Sequence, residues 1–292
     1  MKWIFLLFPV FIVSPILGQG NFDDFSFSAD STAGRNNFRY HINNDCYDLS
    51  IKKELFILIP ITGLFIADLL VEPRVINVDD LSEININKVP WFERNIIYFD
   101  TVTATRAAEM SDLFNKTALI IGVSSLITGY KEPKEILVNF VLYAEGTLIT
   151  SGLTDVLKKS VGRIRPYAYN TDFPDSYRLH GAVTSSFPSG HTSSTSFNCF
   201  FAAKMIDDYL INDENRLLKS INWTVAAIIP AWVGYMRMEA GVHFLTDVLG
   251  GYAIGATCGY FIPVMHKIKN ENLSFYPIYY NNIAGLSCRI KF

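Results

Sequence analysis

Charge is scarce in this sequence, and so are cysteine and any surplus of basic residues. Only 18% of the 292 residues are charged against 50% that are hydrophobic. That balance excludes a disordered chain and leaves enough apolar material for one principal domain with a sizeable core. Net charge is −3. Lysine and arginine are scattered except at Lys158, Lys159, Arg163 and Arg165, so no nucleic-acid partner is expected and that one cluster needs a local explanation. The four cysteines, Cys46, Cys199, Cys258 and Cys288, form no CxxC pair and share no metal-type spacing with histidine. Cys199 and Cys258 fall in apolar stretches, where buried thiols are common. Neither a structural zinc nor a dense disulfide framework is expected.

The chain opens Met1-Lys2, runs apolar from Trp3 to Leu17, and passes through Gly18-Gln19-Gly20. A basic start, an apolar run too short to span a bilayer and small residues at its exit read as a secretory signal over 1–20, to be left out of the fold. Residues 21–54, rich in Asn, Asp, Ser and Phe in their first part, read as a loosely ordered lead-in.

Six apolar stretches follow, at roughly Leu55–Val71, Thr117–Tyr130, Glu135–Leu157, Thr192–Leu210, Trp223–Met236 and Phe244–His266. Their lengths exceed those of strands, and Gly and Pro lie mainly between them, so they read as helices of a domain over 55–268. Between the first two, Pro73 to Lys116 is polar, with a helical period in Ile96, Ile97, Phe99 and Val102, and reads as a lid or rim. Residues 269–292 form a tail that alternates through Tyr276, Ile278 and Tyr280, then Leu286, Cys288 and Ile290, which predicts a small hairpin. The predicted fold is therefore all-α, a six-helix bundle with a short C-terminal β-hairpin.

Two readings of the bundle stand side by side. Several stretches fall short of the ~20 residues a span needs, and Asp68 would cost about 2.5–3.5 kcal/mol at mid-bilayer, which fits a buried soluble bundle. Gly251, Gly255 and Gly259 recur every four residues, the small-residue pattern that lets membrane helices approach closely, which fits an integral membrane protein.

Three separated segments carry chemistry. Lys158 to Arg165-Pro166 closes the third stretch. Residues seven apart lie about 20° apart around a helix, so the two cations share a face if the helix continues, suited to a dianionic phosphate. The alternative is a positive flank to a membrane helix. Phe187-Pro188-Ser189-Gly190-His191-Thr192 opens the fourth stretch. Ser189 is a good N-cap, the helix start offers free N–H groups to an anion, and Gly190 permits close approach. The alternative is a capped helix with an incidental histidine. Arg237 to His243 and Asp247 leads into the sixth stretch, with His243 and Asp247 four apart, so the carboxylate can hold one ring nitrogen and free the other for attack. A structural hydrogen bond is the alternative for that pair alone.

Taken together, Lys-x6-Arg-Pro, Pro-Ser-Gly-His and Arg-x5-His-x3-Asp, in this order, resemble the type 2 phosphatidic acid phosphatase and vanadium haloperoxidase superfamily. The likeness covers roughly Leu55 to His266, and departs at Met236, where many members carry serine, a difference bearing on substrate preference. The resemblance implies a phosphoric monoester hydrolase without metal or cofactor. Lys158, Arg165, Ser189, Gly190 and Arg237 would bind phosphate. His243, oriented by Asp247, would attack phosphorus to give a phosphohistidine, and His191 would protonate the leaving group and then activate water. The implied partner is a lipid phosphate at a membrane. The alternatives are a soluble secreted acid phosphatase of broad specificity, a vanadium-dependent haloperoxidase and an inactive phosphate-binding protein.

Sidedness is in tension. A cleaved signal followed by six spans places Lys158, His191 and His243 on the cytoplasmic side. The resemblance, and the loop cations Lys131, Lys134, Arg216 and Lys219, place them outside. The reading adopted is a cell-envelope protein with fewer than six spans and its site facing the periplasm or exterior. Oligomeric state and the particular substrate are not legible.

Overall fold

The computed structural model describes residues 41–43, 46–212, 214–268, 273–280 and 283–290. The expected signal over 1–20 and most of the lead-in lie outside these residues. The described part of the lead-in is ordered: β1 (His41–Asn43) pairs antiparallel with β2 (Asp48–Ser50), and α1 (Ile51–Leu70) starts directly after Ser50. The lead-in therefore ends before residue 54, because Lys52, Lys53 and Glu54 continue a helix whose apolar period begins at Ile51.

The order then runs α2 (Thr101–Ser124), α3 (Pro133–Val161), the single-turn α4 (Asp175–Arg178), α5 (Gly190–Leu210), α6 (Arg216–Glu239), α7 (Leu245–His266), β3 (Leu273–Tyr280) and β4 (Ile283–Ile290). Among the described residues the fold is all-α in its body, with six long helices in the positions expected, and β3 and β4 form the C-terminal hairpin, Leu273 opposite Ile290. One boundary differs widely. The segment read as a lid is three 3-10 turns up to Ile97, after which α2 runs from Thr101, sixteen residues before the apolar stretch begins. Asp100 caps it, its carboxylate accepting from Thr103 N at 2.8 Å, and a good cap starts a helix even where the first turns are polar.

Helix α5 is the axle, packed on α2, α3, α6 and α7. Its contact with α7 explains the glycine repeat. A Cβ on Gly251, Gly255 or Gly259 would lie 2.3, 2.1 or 2.6 Å from the carbonyl oxygens of Ser189, Ser193 or Phe197, backbone against backbone. On its other face α5 builds the apolar core, where Phe197 and Phe201 meet Tyr143 with ring centroids 5.4 and 5.3 Å apart, beside Val138, Leu142 and Ile262. Buried hydroxyls on α5 are paired across helices, as in Thr154 with Ser193 at 2.9 Å and Thr195 with Asn115 at 3.0 Å.

Much of the outer surface is apolar. Phe56, Ile59 and Leu70 on α1 and Leu217 and Ile228 on α6 are each at least 60% exposed. Among the described residues, three helical stretches are long and apolar enough to cross a membrane, Pro133–Tyr169, Arg216–Glu239 and Leu245–His266, and only 33, 22 and 39% of their most apolar windows are buried. Apolar side chains facing outward on helices of this length fit a hydrocarbon surround rather than water.

Candidate active site

The chemistry-bearing segments meet at one end of the α5–α7 pair. Helix α3 stops at Val161, because Gly162 takes a left-handed conformation (φ 57°) and its N–H closes on the Lys158 carbonyl at 3.1 Å, a helix-terminating geometry that glycine adopts readily. Arg165 therefore does not share a helical face with Lys158, as the spacing predicted. It arrives from an extended connector, anchored by its N–H to the Val183 carbonyl at 2.8 Å. The two cations still converge, and both act electrostatically with Arg237, which comes from the last turn of α6.

Ser189 is the N-cap of α5, fully buried, with its hydroxyl 2.9 Å from that of Thr192. A Cβ on Gly190 would stand 2.7 Å from Lys158 Nζ, so the glycine leaves room for the ammonium against the open N–H groups of the helix start. Arg165 Nε and Arg237 Nε are both buried without a hydrogen-bond partner. Buried N–H groups are nearly always paired, so these two donors beside a third cation suit an anion.

His243 and Asp247 are arranged differently from the expected i, i+4 helical pair. His243 lies two residues before α7. Asp247 is the third residue of that helix and accepts from Phe244 N at 2.8 Å, the carboxylate half of a cap. The His243 ring is held by the Ser186 carbonyl, 2.7 Å from Nδ1, while the Asp247 carboxylate stands 3.8 Å away. A carbonyl only accepts, so Nδ1 carries the proton and Nε2 keeps its lone pair. Burial, reinforced by Arg165 and Arg237 and opposed by Asp247, pushes the His243 pKa down to about 4, so the ring is neutral and nucleophilic near pH 7.

His191, in the first turn of α5, places Nε2 2.8 Å from Asp112 Oδ1. Burial and then Arg237 lower its pKa to about 4 against the opposing pull of Asp112. Burial is the larger cause; an anion that neutralised Arg237 and Lys158 would remove the smaller, electrostatic part and move the pKa upward.

Several supporting residues escaped the sequence reading. Arg163 bridges Asp247 and the fully buried Glu93, whose other oxygen accepts from Thr246 N and Oγ1 at 2.7 and 2.8 Å. Ser186 donates its hydroxyl to Asp247. Ser111 and Asp112 steady Arg237, at 3.2 and 3.6 Å. Arg163 was visible only as a member of the basic cluster. Glu93 and Asp112 lie 70 or more positions from their partners, and no local pattern announces such a contact. Among the described residues, no group of three or more His, Cys, Asp or Glu with convergent ligand atoms lies at this site.

Residues 139–271 match the model of the PAP2 superfamily. Phosphatidylglycerophosphatase B of Bacillus subtilis (strain 168) is 36% identical over 105 residues, 35% of this chain and 46% of its own. Lipid A 1-phosphatase of Rhizobium johnstonii is 33% identical over 141 residues, 46% of this chain and 52% of its own. Lipid A 4'-phosphatase of Porphyromonas gingivalis is 30% identical over 144 residues, 46% and 53%. The chain thus spans about half the length of the curated relatives it matches. A crystal structure of a transmembrane PAP2-type phosphatidylglycerolphosphate phosphatase from Bacillus subtilis is 23% identical, with 73% of this chain and 93% of that chain covered at a TM-score of 0.37.

Proposed function

With residues 139–271 identified as a PAP2 superfamily region, we propose that the chain is a membrane-resident phosphatase that hydrolyses lipid phosphates through a phosphohistidine on His243. The observation that carries this reading is the pair of orphaned guanidinium N–H groups, Arg165 Nε and Arg237 Nε, beside Lys158 and a neutral histidine whose Nε2 is free. The phosphoryl oxygens take the places these donors lack, with Ser189 and the Gly190 N–H completing the cradle at the positive end of α5.

His243 Nε2 then attacks phosphorus opposite the leaving oxygen. Its Nδ1 proton stays on the Ser186 carbonyl side, and Asp247 stabilises the charge that forms on the ring. His191, protonated once the phosphate offsets its cationic neighbours, gives its proton to the leaving alkoxide. It next removes a proton from the water that cleaves the phosphorus–nitrogen bond, so both protons are accounted for. Arginine and lysine neutralise the transferring group throughout, and no step needs a metal.

A lipid substrate is supported by the names of the relatives, all phosphatases of lipids, and by a cavity of about 270 Å³ that runs from Leu119, Tyr143 and Phe197 to Lys158 and Gly190. Leu119 and Phe197 share the lining with Lys158, Gly190 and several Ser and Thr hydroxyls, which suits an amphipathic substrate with a charged headgroup. The site is read as facing the periplasm or exterior.

The test is a ³²P-labelled phosphatidate presented in mixed micelles with EDTA and quenched in alkaline detergent. Release of phosphate and transient labelling of the chain are expected. A chain that turns over fully without ever taking label would sink the covalent step. Label and release from a water-soluble ester alone would move the substrate class to soluble phosphates.

A further inference from the structure

At the other end of α7, three ionisable side chains from three helices converge: Glu54 of α1, Glu145 of α3 and His266, the last residue of α7. His266 and Asp247 are nineteen residues apart, about 28 Å along the axis at about 1.5 Å per residue, so this cluster is separate from the phosphate site. His266 Nε2 is 3.4 Å from Glu54 Oε1 and 3.5 Å from Glu145 Oε2. All three atoms are buried and none has a hydrogen-bond partner. His266 is 0% and Glu145 7% exposed.

The tautomer sharpens the problem. His266 Nδ1 lies 2.9 Å from the Ile262 carbonyl, which only accepts, so the neutral ring carries its proton there and turns the Nε2 lone pair toward two carboxylate oxygens. Three lone-pair donors, stripped of water, then face one another, an arrangement that repels itself unless a shared proton or a metal cation lies between them.

We propose that Glu54, Glu145 and His266 bind a divalent transition-metal ion of the zinc type, which fastens α1 to α3 and α7. A tetrahedral ion with bonds of about 2.0–2.1 Å sets its ligands roughly 3.3–3.4 Å apart, and the two histidine–carboxylate edges measure 3.4 and 3.5 Å. One imidazole with two carboxylates suits zinc better than magnesium or calcium, which take sets of oxygens. The Ile262 carbonyl on Nδ1 is the second contact that fixes a ligating histidine in its tautomer. A fourth position is left for water or a second carboxylate oxygen. The fastening matters for α1, which packs mainly on α3 and leaves Phe56, Ile59 and Leu70 exposed.

The experiment uses the full chain in detergent, loaded with excess zinc, desalted and assayed by elemental analysis, with melting temperature as a second readout. About one equivalent of zinc per chain is expected, and saturating zinc should raise the melting temperature by roughly 5 °C or more, reversibly in EDTA. Glu54→Gln and His266→Ala should lose both responses. Glu54→Gln should also melt where the wild type melts in EDTA, which separates lost metal from lost folding. Less than a few tenths of an equivalent on the wild type, or unchanged zinc in Glu54→Gln, overturns the proposal. A melting temperature that follows pH but ignores zinc overturns it in favour of a shared proton. The inference stands apart from the phosphatase reading. If EDTA slows the wild type but not Glu54→Gln, chelation acts at this cluster and the metal-free reaction is untouched. If it slows both, the reaction mechanism is at fault.

Discussion

The two ends of α7 hold two fully buried histidines in the same pose and in opposite company. At each, Nδ1 is committed to a backbone carbonyl, Ser186 for His243 and Ile262 for His266, and Nε2 is left over. At one end the spare nitrogen shares its surroundings with Arg165 and Arg237, at the other with Glu54 and Glu145. On the two proposals above, an identical ring is suited to attack an anion in one place and to hold a cation in the other. The neighbouring charges decide which, since the imidazole itself is unchanged.

The contrast breaks most visibly at His243. Replacing it by alanine should lower phosphate release on the order of 10³-fold or more, the size expected when a member of an interdependent catalytic set is removed, with ³²P labelling of the chain lost as well. Retained labelling would relocate the nucleophile. Next in size is Arg163→Ala, which strands the buried carboxylates of Glu93 and Asp247. Removing one partner of such a network costs about 3–5 kcal/mol, measurable as a lowered urea midpoint, and an unchanged midpoint would show that the bridge is idle. The smallest effect is in pH. His243 and His191 are held near 4 in the folded chain against an ordinary 6.5, so between those values the unfolded chain binds more protons. Stability should rise with pH across that window and level off above it. A His243→Asn, His191→Asn double variant should flatten the rise in a series of thermal melts, and an unaltered slope would assign it to other groups.

The His243 end of α7 was far more legible in sequence than the His266 end. Lys158, Ser189, Gly190, Arg237 and His243 sit in short segments whose spacing carries meaning, because each lies at a helix end or connector that local rules describe. Those rules missed how Arg165 and His243 are placed. Gly162 ends α3 before Arg165, and the Phe244 cap puts His243 outside the helix that contains Asp247. Arg163, Glu93 and Asp112 depend on contacts between distant parts of the chain. Glu54, Glu145 and His266 are the extreme case, ninety-one and one hundred and twenty-one positions apart in sequence. Reading metal sites from Cys and His spacing could not bring them together. The long helices were legible from hydropathy, whereas the polar first turns of α2 were not, since its start is set by the Asp100 cap.

The backbone contact between α5 and α7 has a mechanical consequence. Ser189 donates its N–H to the Asp247 carbonyl at 2.9 Å, and the three glycines lock the helices behind that bond with no side chains between them. Segments carrying His191 and His243 thus travel as one stiff body, and their separation has no soft coordinate along which to drift. The cavity beside them is walled otherwise by Leu119 of α2 and by Tyr143, Thr147, Thr150, Thr154 and Lys158 of α3, so any widening falls to those helices. A change in that wall leaves His191 and His243 in register.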